Sequence, residues 1–368
     1  MRVSRQQRMS WVVLIIAVTG FGTRSKAQTY GSREGQIARL TASIKVNLEN
    51  AKSFDNLFQK KGSLPLSDRV IVGEIGVLDV SSKGNFLVTD VRGQQVLLFD
   101  KTGGLIKKLS AENIHPGLQW RPIKAGFSEN DFILVNLSAE PTFLFDSSGN
   151  CIKKIRLNRF QPMDFYVDRF MNIYGYNFEY DQFYLSKVDS GLKQQHKFGS
   201  IPEKFKNYIS HWEDGGGGIV VDQYGSIYQI NVSGPEIFKY SSQGKLLATF
   251  NHRPSYYVQI DSDLPDFNNP MEFFKKSREI LQNVTQTFSI CLLTPEILLV
   301  QYYVAANKLF AFDLCTLNGE YLLNHDFFYK DKILAAKNGR IYMTYQPDAR
   351  ADGYIPNPII HIYDLSAK

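Results

Sequence analysis

The sequence predicts an all-β fold, a six-bladed β-propeller of four-stranded antiparallel blades, on three observations. The first is a repeated tail in which an apolar strand ends in a polar residue, turns on glycine and runs back: VLLFDKTGGLIKKL from Val96, TFLFDSSGNCIKKI from Thr142, EIFKYSSQGKLLATF from Glu236 and KLFAFDLCTLNGEYLL from Lys308. The second is a front half of the form strand, tight polar turn, strand, starting at Gly76, Pro122, Pro162, Gly218, Thr287 and Asp331. The third is the near-continuous apolar character of strands such as FILVNL and ILLVQYY. A sheet with one wet face alternates, so such runs imply sheets covered on both faces. A supersecondary unit recurring at about 40 residues is an array, and the array made of antiparallel strands is a propeller.

The chain opens with a leader. Arg2, Arg5 and Arg8 precede the apolar run from Trp11 to Phe21, which is too short for a membrane span, and Ser25-Lys26-Ala27 supplies small residues for cleavage. Residues 1–27 read as a secretory signal peptide and 28–368 as the propeller, exported to the periplasm or the cell exterior, with no membrane span once the leader is removed. The leader also accounts for the charge. The formal net charge is +6, but Arg2, Arg5, Arg8, Arg24 and Lys26 fall in the leader, which has no acids, leaving +1 (6 − 5). No clustered basic run follows, so nucleic acid is not a predicted partner. Cys151, Cys291 and Cys315 leave at least one free thiol in any pairing, and Cys291 and Cys315 fall on strands predicted to be non-adjacent.

The blades are predicted near 76–109, 122–157, 162–198, 217–250, 286–324 and 330–365. Their turns carry Lys83-Gly84-Asn85, Asn130-Asp131, Tyr224-Gly225-Ser226 and Asn338-Gly339, residue types that tolerate positive φ. The last blade runs out of chain after three strands. Residues 41–48, TASIKVNL, alternate as an outermost strand should and are predicted to supply the fourth, closing the ring from its N-terminal end.

These motifs resemble the NHL-type six-bladed propellers. The front motif is matched by Val221-Asp222-Gln223-Tyr224-Gly225-Ser226-Ile227-Tyr228 and Val167-Asp168-Arg169-Phe170-Met171-Asn172-Ile173-Tyr174, the tail by Phe99-Asp100 with Gly103 and Phe145-Asp146 with Gly149. The chain also looks like the exported propeller proteins of Bacteroidetes. The resemblance implies a fold and no chemistry.

In such a ring the connections between blades and the second-to-third strand loops emerge on one face, and that face receives every long insertion. Two insertions read as helices between blades, one starting at the capping box Ser200-Ile201-Pro202-Glu203, the other at Asn269-Pro270-Met271-Glu272. The candidate ligand-binding residues are Trp120, Arg121, Arg159, Tyr180, His211, Trp212, His252, Arg253, Tyr257, Arg350 and Tyr354. Tyr256 and the acids Glu179, Asp181 and Asp352 lie among them. Aromatic rings stack and charged groups orient, a set suited to a glycan, a peptide or an envelope protein.

No catalytic or metal-binding motif is found. The six histidines are scattered, no Gly-x-Ser-x-Gly elbow occurs, and Gly215-Gly216-Gly217-Gly218 lacks the Lys-Ser/Thr of a phosphate loop. That glycine run instead fits close backbone approach where the chain enters the innermost strand of blade 4. The sequence therefore favours a binding or interaction module with no cofactor. The alternative is a hydrolase or lyase using calcium or zinc at the mouth of the central channel, as the NHL-like amidating lyases and six-bladed lactonases do. A structural subunit of an envelope complex is a third reading.

Overall fold

The structure, a computed structural model, describes residues 48, 51–138, 142–155, 162–177, 183–191, 195–200, 217–232, 234–259, 270–349, 351 and 354–366. They form six four-stranded antiparallel sheets. Blade 1 is β2 (Ile75–Val80), β3 (Phe86–Asp90), β4 (Gln95–Phe99) and β5 (Leu105–Lys108). Blade 2 is β6 (Pro122–Phe127), β7 (Ile133–Leu137), β8 (Thr142–Phe145) and β9 (Cys151–Ile155). Blade 3 is β10 (Pro162–Val167), β11 (Ile173–Asn177), β12 (Phe183–Val188) and β13 (Gln195–Ser200). Blade 4 is β14 (Gly218–Val221), β15 (Ile227–Ile230), β16 (Ile237–Tyr240) and β17 (Leu246–Phe250). Blade 5 is β18 (Thr285–Thr294), β19 (Ile297–Val304), β20 (Leu309–Thr316) and β21 (Phe328–Tyr329). Blade 6 is β22 (Ile333–Lys337), β23 (Arg340–Tyr345) and β24 (Ile359–Leu365), completed by β1 (Phe58–Pro65) from the N-terminal side. The innermost strands touch in the order β2, β6, β10, β14, β18, β22, and β22 returns to β2, so the ring is closed.

The apolar runs have the cause the sequence suggested. Each of the six hydrophobic clusters lies between two consecutive blades, for example Leu87, Val96, Val135 and Phe143 between blades 1 and 2, and Tyr228, Ile237, Val300 and Tyr302 between blades 4 and 5. Strands β3, β4, β7 and β8 are buried at every residue.

The repeated acidic or hydroxyl residue at strand ends is a hairpin clasp. Asp100, Asp146, Asp168 and Asp222 each accept the backbone N–H groups two and four residues on, at 2.7–3.0 Å. Ser81, Ser241 and Thr316 make the same pair of bonds with their hydroxyls. The side chain thus replaces ladder partners that the turn would leave unmade. In blades 3 and 4 a tyrosine six residues on, Tyr174 or Tyr228, donates to the second oxygen of the same carboxylate.

The closing strand differs from the one expected. It is Phe58–Pro65, paired antiparallel with β24 from Phe58↔Leu365 to Pro65↔Ile359. Residues 41–47 lie outside the described residues, and Leu48 is helical and buried. The sequence FQKKGSLP hides its strand character behind two lysines, a glycine and a proline. These are features of an edge strand, and a register shift falls between Lys60 and Gly62. Only Phe58 and Leu64 are buried in it. Phe58 and Phe54, in helix α1 (Phe54–Leu57), pack on Phe312 of blade 5 at 5.8 and 6.2 Å between ring centroids.

That packing accompanies a second difference, in blade 5. Its outer strand does not end near 324: Tyr321 bridges Cys315, the chain bulges, and pairing resumes at Phe328 and Tyr329. Helix α2 (Pro270–Leu281) forms where expected, with Lys276 3.1 Å from Glu272 one turn earlier. The helix expected from Ser200 and the leader lie outside the described residues. All three cysteines are free, and Cys291 and Cys315 are separated by β19.

If β1 seals the ring through its anchor, Phe58→Ala should cost about 3–5 kcal/mol, the range for emptying a buried aromatic site. Thermal unfolding should show a large drop in Tm, whereas Lys60→Ala on the exposed side of the same strand should shift it little.

Candidate functional site

The chain enters every innermost strand from the face that carries the long connections and leaves it on the face of tight turns. The long connections are 109–121, 201–217, 251–284 and 346–358; the turns from first to second strand are as short as 295–296. One long connection is pinned at its base: Asn357 accepts the Val72 N–H at 2.9 Å and donates to Ser67 and Val70 carbonyls at 3.1 and 2.7 Å. Asp90 gathers the N–H groups of Gly73, Glu74 and Gly93 beside it. Burial acts to raise the Asp90 carboxyl, but these donors and the Gln95 amide win and hold it below its ordinary value.

The candidate residues separate into three places. Trp120 packs on Phe143 and Phe145 at 6.2 and 6.3 Å, in the cluster between blades 1 and 2, so its ring is largely used by the core. Its neighbour Arg121 is exposed. His252, Arg253 and Tyr257 lie together beyond β17, where Arg253 is exposed and Tyr257 is buried between blades 4 and 5. Tyr354 stands exposed in the blade 6 connection. Arg159, Tyr180, His211, Trp212 and Arg350 lie outside the described residues, as do Glu179, Asp181 and Asp352.

His252 belongs to a polar cluster wedged between blades 4 and 5. Its ring stacks on Tyr321 at 3.8 Å, and its Nε2 is 3.5 Å from Asp313 Oδ2. The distance would suit an ion pair. However, burial lowers the His252 pKa, only partly opposed by Asp326, while burial and the Asp326 charge raise the Asp313 carboxyl to about 7. Both shifts favour the neutral forms, so the contact is weaker as an ion pair than its distance suggests. The Tyr256, Tyr302 and Tyr321 hydroxyls are buried around it.

A second cluster was not legible in the sequence. The innermost strands bring Asp79, Lys124, Asp164, Cys291 and Lys332 from five blades to the axis. Three of these residues latch the next innermost strand. Asp79 accepts the Phe127 N–H at 2.6 Å, Asp164 accepts the Ile219 N–H at 3.1 Å, and the Cys291 sulfur accepts the Ala336 N–H. The glycine run makes room for this. A Cβ on Gly218 would lie 2.8 Å from Asp164 Oδ2, and one on Gly217, at φ 80°, 2.7 Å from the Tyr176 hydroxyl.

Lys124 ion-pairs with Asp164, and burial still pulls its ammonium down to about 8 against the pull of Asp79. Lys332 is brought to about 8 by burial, the nearby Glu74 notwithstanding, with Lys124 repelling it. Its Nζ sits 4.4 Å from the Phe288 ring centroid and 3.4 Å from the Gly76 carbonyl. Among the described residues it has no carboxylate within 4 Å. Lys124, Asp164 and Lys332 sit early in their strands or just before them, toward the face of long connections, whereas Asp79 sits late, toward the turns.

The fold is shared with solved Bacteroides proteins. A candidate exported protein of Bacteroides fragilis superposes with a TM-score of 0.61 at 12% identity, covering 86% of this chain and 98% of that one. A member of the DUF4221 family from Bacteroides vulgatus gives 0.57 at 10% identity, covering 84% and 98%. A streptogramin B lyase structure gives 0.47 at 11% identity, covering 83% and 87%. No family model matches the chain, and no curated protein matches it in sequence. Among the described residues no three His, Cys, Asp or Glu side chains are grouped to hold a metal ion, and no helix is long and apolar enough to cross a membrane.

The Asp313 carboxyl gives a pH test. Its ordinary value is 3.8 and its folded value about 7, so between these the folded protein holds a proton that the unfolded chain has released. Its contribution to stability is complete below pH 3.8 and is lost as pH rises through 7. Asp313→Asn, neutral throughout, should flatten the fall in Tm between pH 4 and 8 and leave the variant above the parent protein at pH 8.

Proposed function

We propose that this chain is an exported binding module that takes a glycan, a peptide or a partner protein on the face of long connections, with the axial mouth as its polar anchor. The observation that carries the reading is Lys332. A largely desolvated ammonium held on an aromatic face, with one long carbonyl contact and no carboxylate within 4 Å among the described residues, retains donor capacity for an incoming acceptor. Lys124 and Asp164 beside it offer a donor and an acceptor of opposite charge, a pairing that suits polar ligands of mixed character. Export is supported by the leader of residues 1–27 and agrees with the description of the Bacteroides fragilis protein that shares the fold. The aromatic and basic residues of the long connections, Trp212, Arg253 and Tyr354 among them, would wall the ligand.

Screening the mature chain on glycan and peptide arrays tests this. A ligand should be found whose affinity falls at least tenfold in Lys332→Met and falls also in Tyr354→Ala and Trp212→Ala. Lys332→Met removes a buried charge and keeps the stem, so its Tm should hold or rise, which separates lost binding from lost folding. Affinity unchanged in all three variants would sink the proposal. One stoichiometric calcium or zinc, lost to chelator together with a drop in Tm, would replace it with the metal-dependent hydrolase or lyase.

A further inference from the structure

A cleft opens on the opposite face. It lies among the tight turns of blades 5, 6 and 1, has a volume of about 750 Å³, and is bounded by the turn after β2, the turn after β22, the end of β24 and Thr294-Pro295 at the turn after β18. That volume falls within the roughly 300–1,000 Å³ of small-molecule sites. Its lining is cationic: Lys83 from blade 1, Lys337 and Arg340 from blade 6, against the single carboxylate of Asp364.

That carboxylate is already engaged twice. Arg340 Nε donates to Asp364 Oδ1 at 2.7 Å, and Lys61 of the closing strand stands 3.9 Å from Oδ2. Lys337 donates to the Val80 carbonyl at 2.5 Å, and its charge also pulls down the buried Asp79 carboxyl behind the cleft. Lys83 is exposed and has no carboxylate within 4 Å among the described residues. The lining thus carries three positive side chains and one negative, a surplus of two (3 − 1), in a cleft open to solvent. Donors outnumber acceptors in the same way. Arg340 engages Asp364 through Nε and the Tyr342 phenol through another guanidinium N–H, and its five donors leave further N–H groups for other partners.

We infer that this seam cleft is a binding site for a tetrahedral oxyanion, a phosphate or sulfate group, clamped between Lys83 of blade 1 and the Lys337–Arg340 edge of blade 6. The two sides belong to the first and last blades of the ring. An anion held between them joins the ring at its closure and stabilises the folded state by mass action. The site is independent of the loop-face ligand proposed above, because it lies at the other end of the innermost strands and shares no residue with that set.

The test is a thermal-shift and calorimetric titration of the mature chain at constant ionic strength with inorganic pyrophosphate, glucose 6-phosphate and a sulfated disaccharide, with glucose and sodium chloride as controls. A saturable rise in Tm with at least one of the three anionic probes and none with glucose is expected, and which probe binds tightest separates a free ion from an anionic sugar. Lys83→Glu, a change at an exposed turn residue, should leave the ligand-free Tm within a degree or so and weaken the response at least tenfold. Lys332→Met should leave the response intact. No saturable response, a response unchanged in Lys83→Glu, or one abolished by Lys332→Met would overturn the assignment.

Discussion

The antiparallel pairing of Phe58–Pro65 with Ile359–Leu365 is the constraint on which the ring depends. A propeller buries both faces of every sheet only if the last blade is complete and meets the first. The final blade owns three strands from the C-terminal end of the chain and borrows the fourth from a segment some 300 residues away. Without that loan the blade would expose an apolar edge beside Ile360 and weaken the contact of Leu64 and Tyr342 with blade 1. The borrowed strand also does more than pair. Phe54 and Leu57 ahead of it and its first residue Phe58 pack into the interface of blades 5 and 6, where blade 5 has only the interrupted β21 at its rim.

The axis works under a different rule. Apolar contacts glue the blades to one another, but the innermost strands converge where side chains from five blades compete for little space. There the contacts are polar and directional: carboxylates of blades 1 and 3 and a thiol of blade 5 each accept an amide from the next blade. Burying those carboxylates is unfavourable unless donors and cations surround them; Lys337 and, more weakly, Lys124 supply charge to Asp79, and Lys124 pairs with Asp164. Lys332 is the member of the cluster that this accounting leaves over. Its charge is tolerated through an aromatic face, a carbonyl and the attraction of Glu74, with no carboxylate within 4 Å among the described residues.

The interface of blades 4 and 5 shows how packing can recruit residues that look like ligand contacts. His252, Tyr256 and Tyr257 combine aromatic surface with polar tips, the composition of a binding site. Yet Tyr257 is buried and His252 is stacked on Tyr321 beside a carboxyl whose pKa burial raises to about 7. Composition on a connection does not distinguish a wall of a pocket from a plug between blades; burial does.

The sequence alone determined the repeat, the number of blades and the chemistry of their turns, because these are written locally. An Asp or Ser four residues before a returning N–H, a residue of positive φ between them and a fully apolar strand beyond them all fall within one hairpin. Tertiary structure alone decided which segment closes the ring, what occupies the axis and where the turn-face cleft lies. Phe58–Pro65 reads as a polar loop until β24 supplies its hydrogen bonds. Lys124, Asp164 and Cys291 are ordinary strand residues, and Lys332 lies just before a strand, until closure brings them together from blades far apart in the chain. Lys83 and Arg340, more than 250 residues apart, become neighbours for the same reason: the first and last blades share an edge only when the ring is complete.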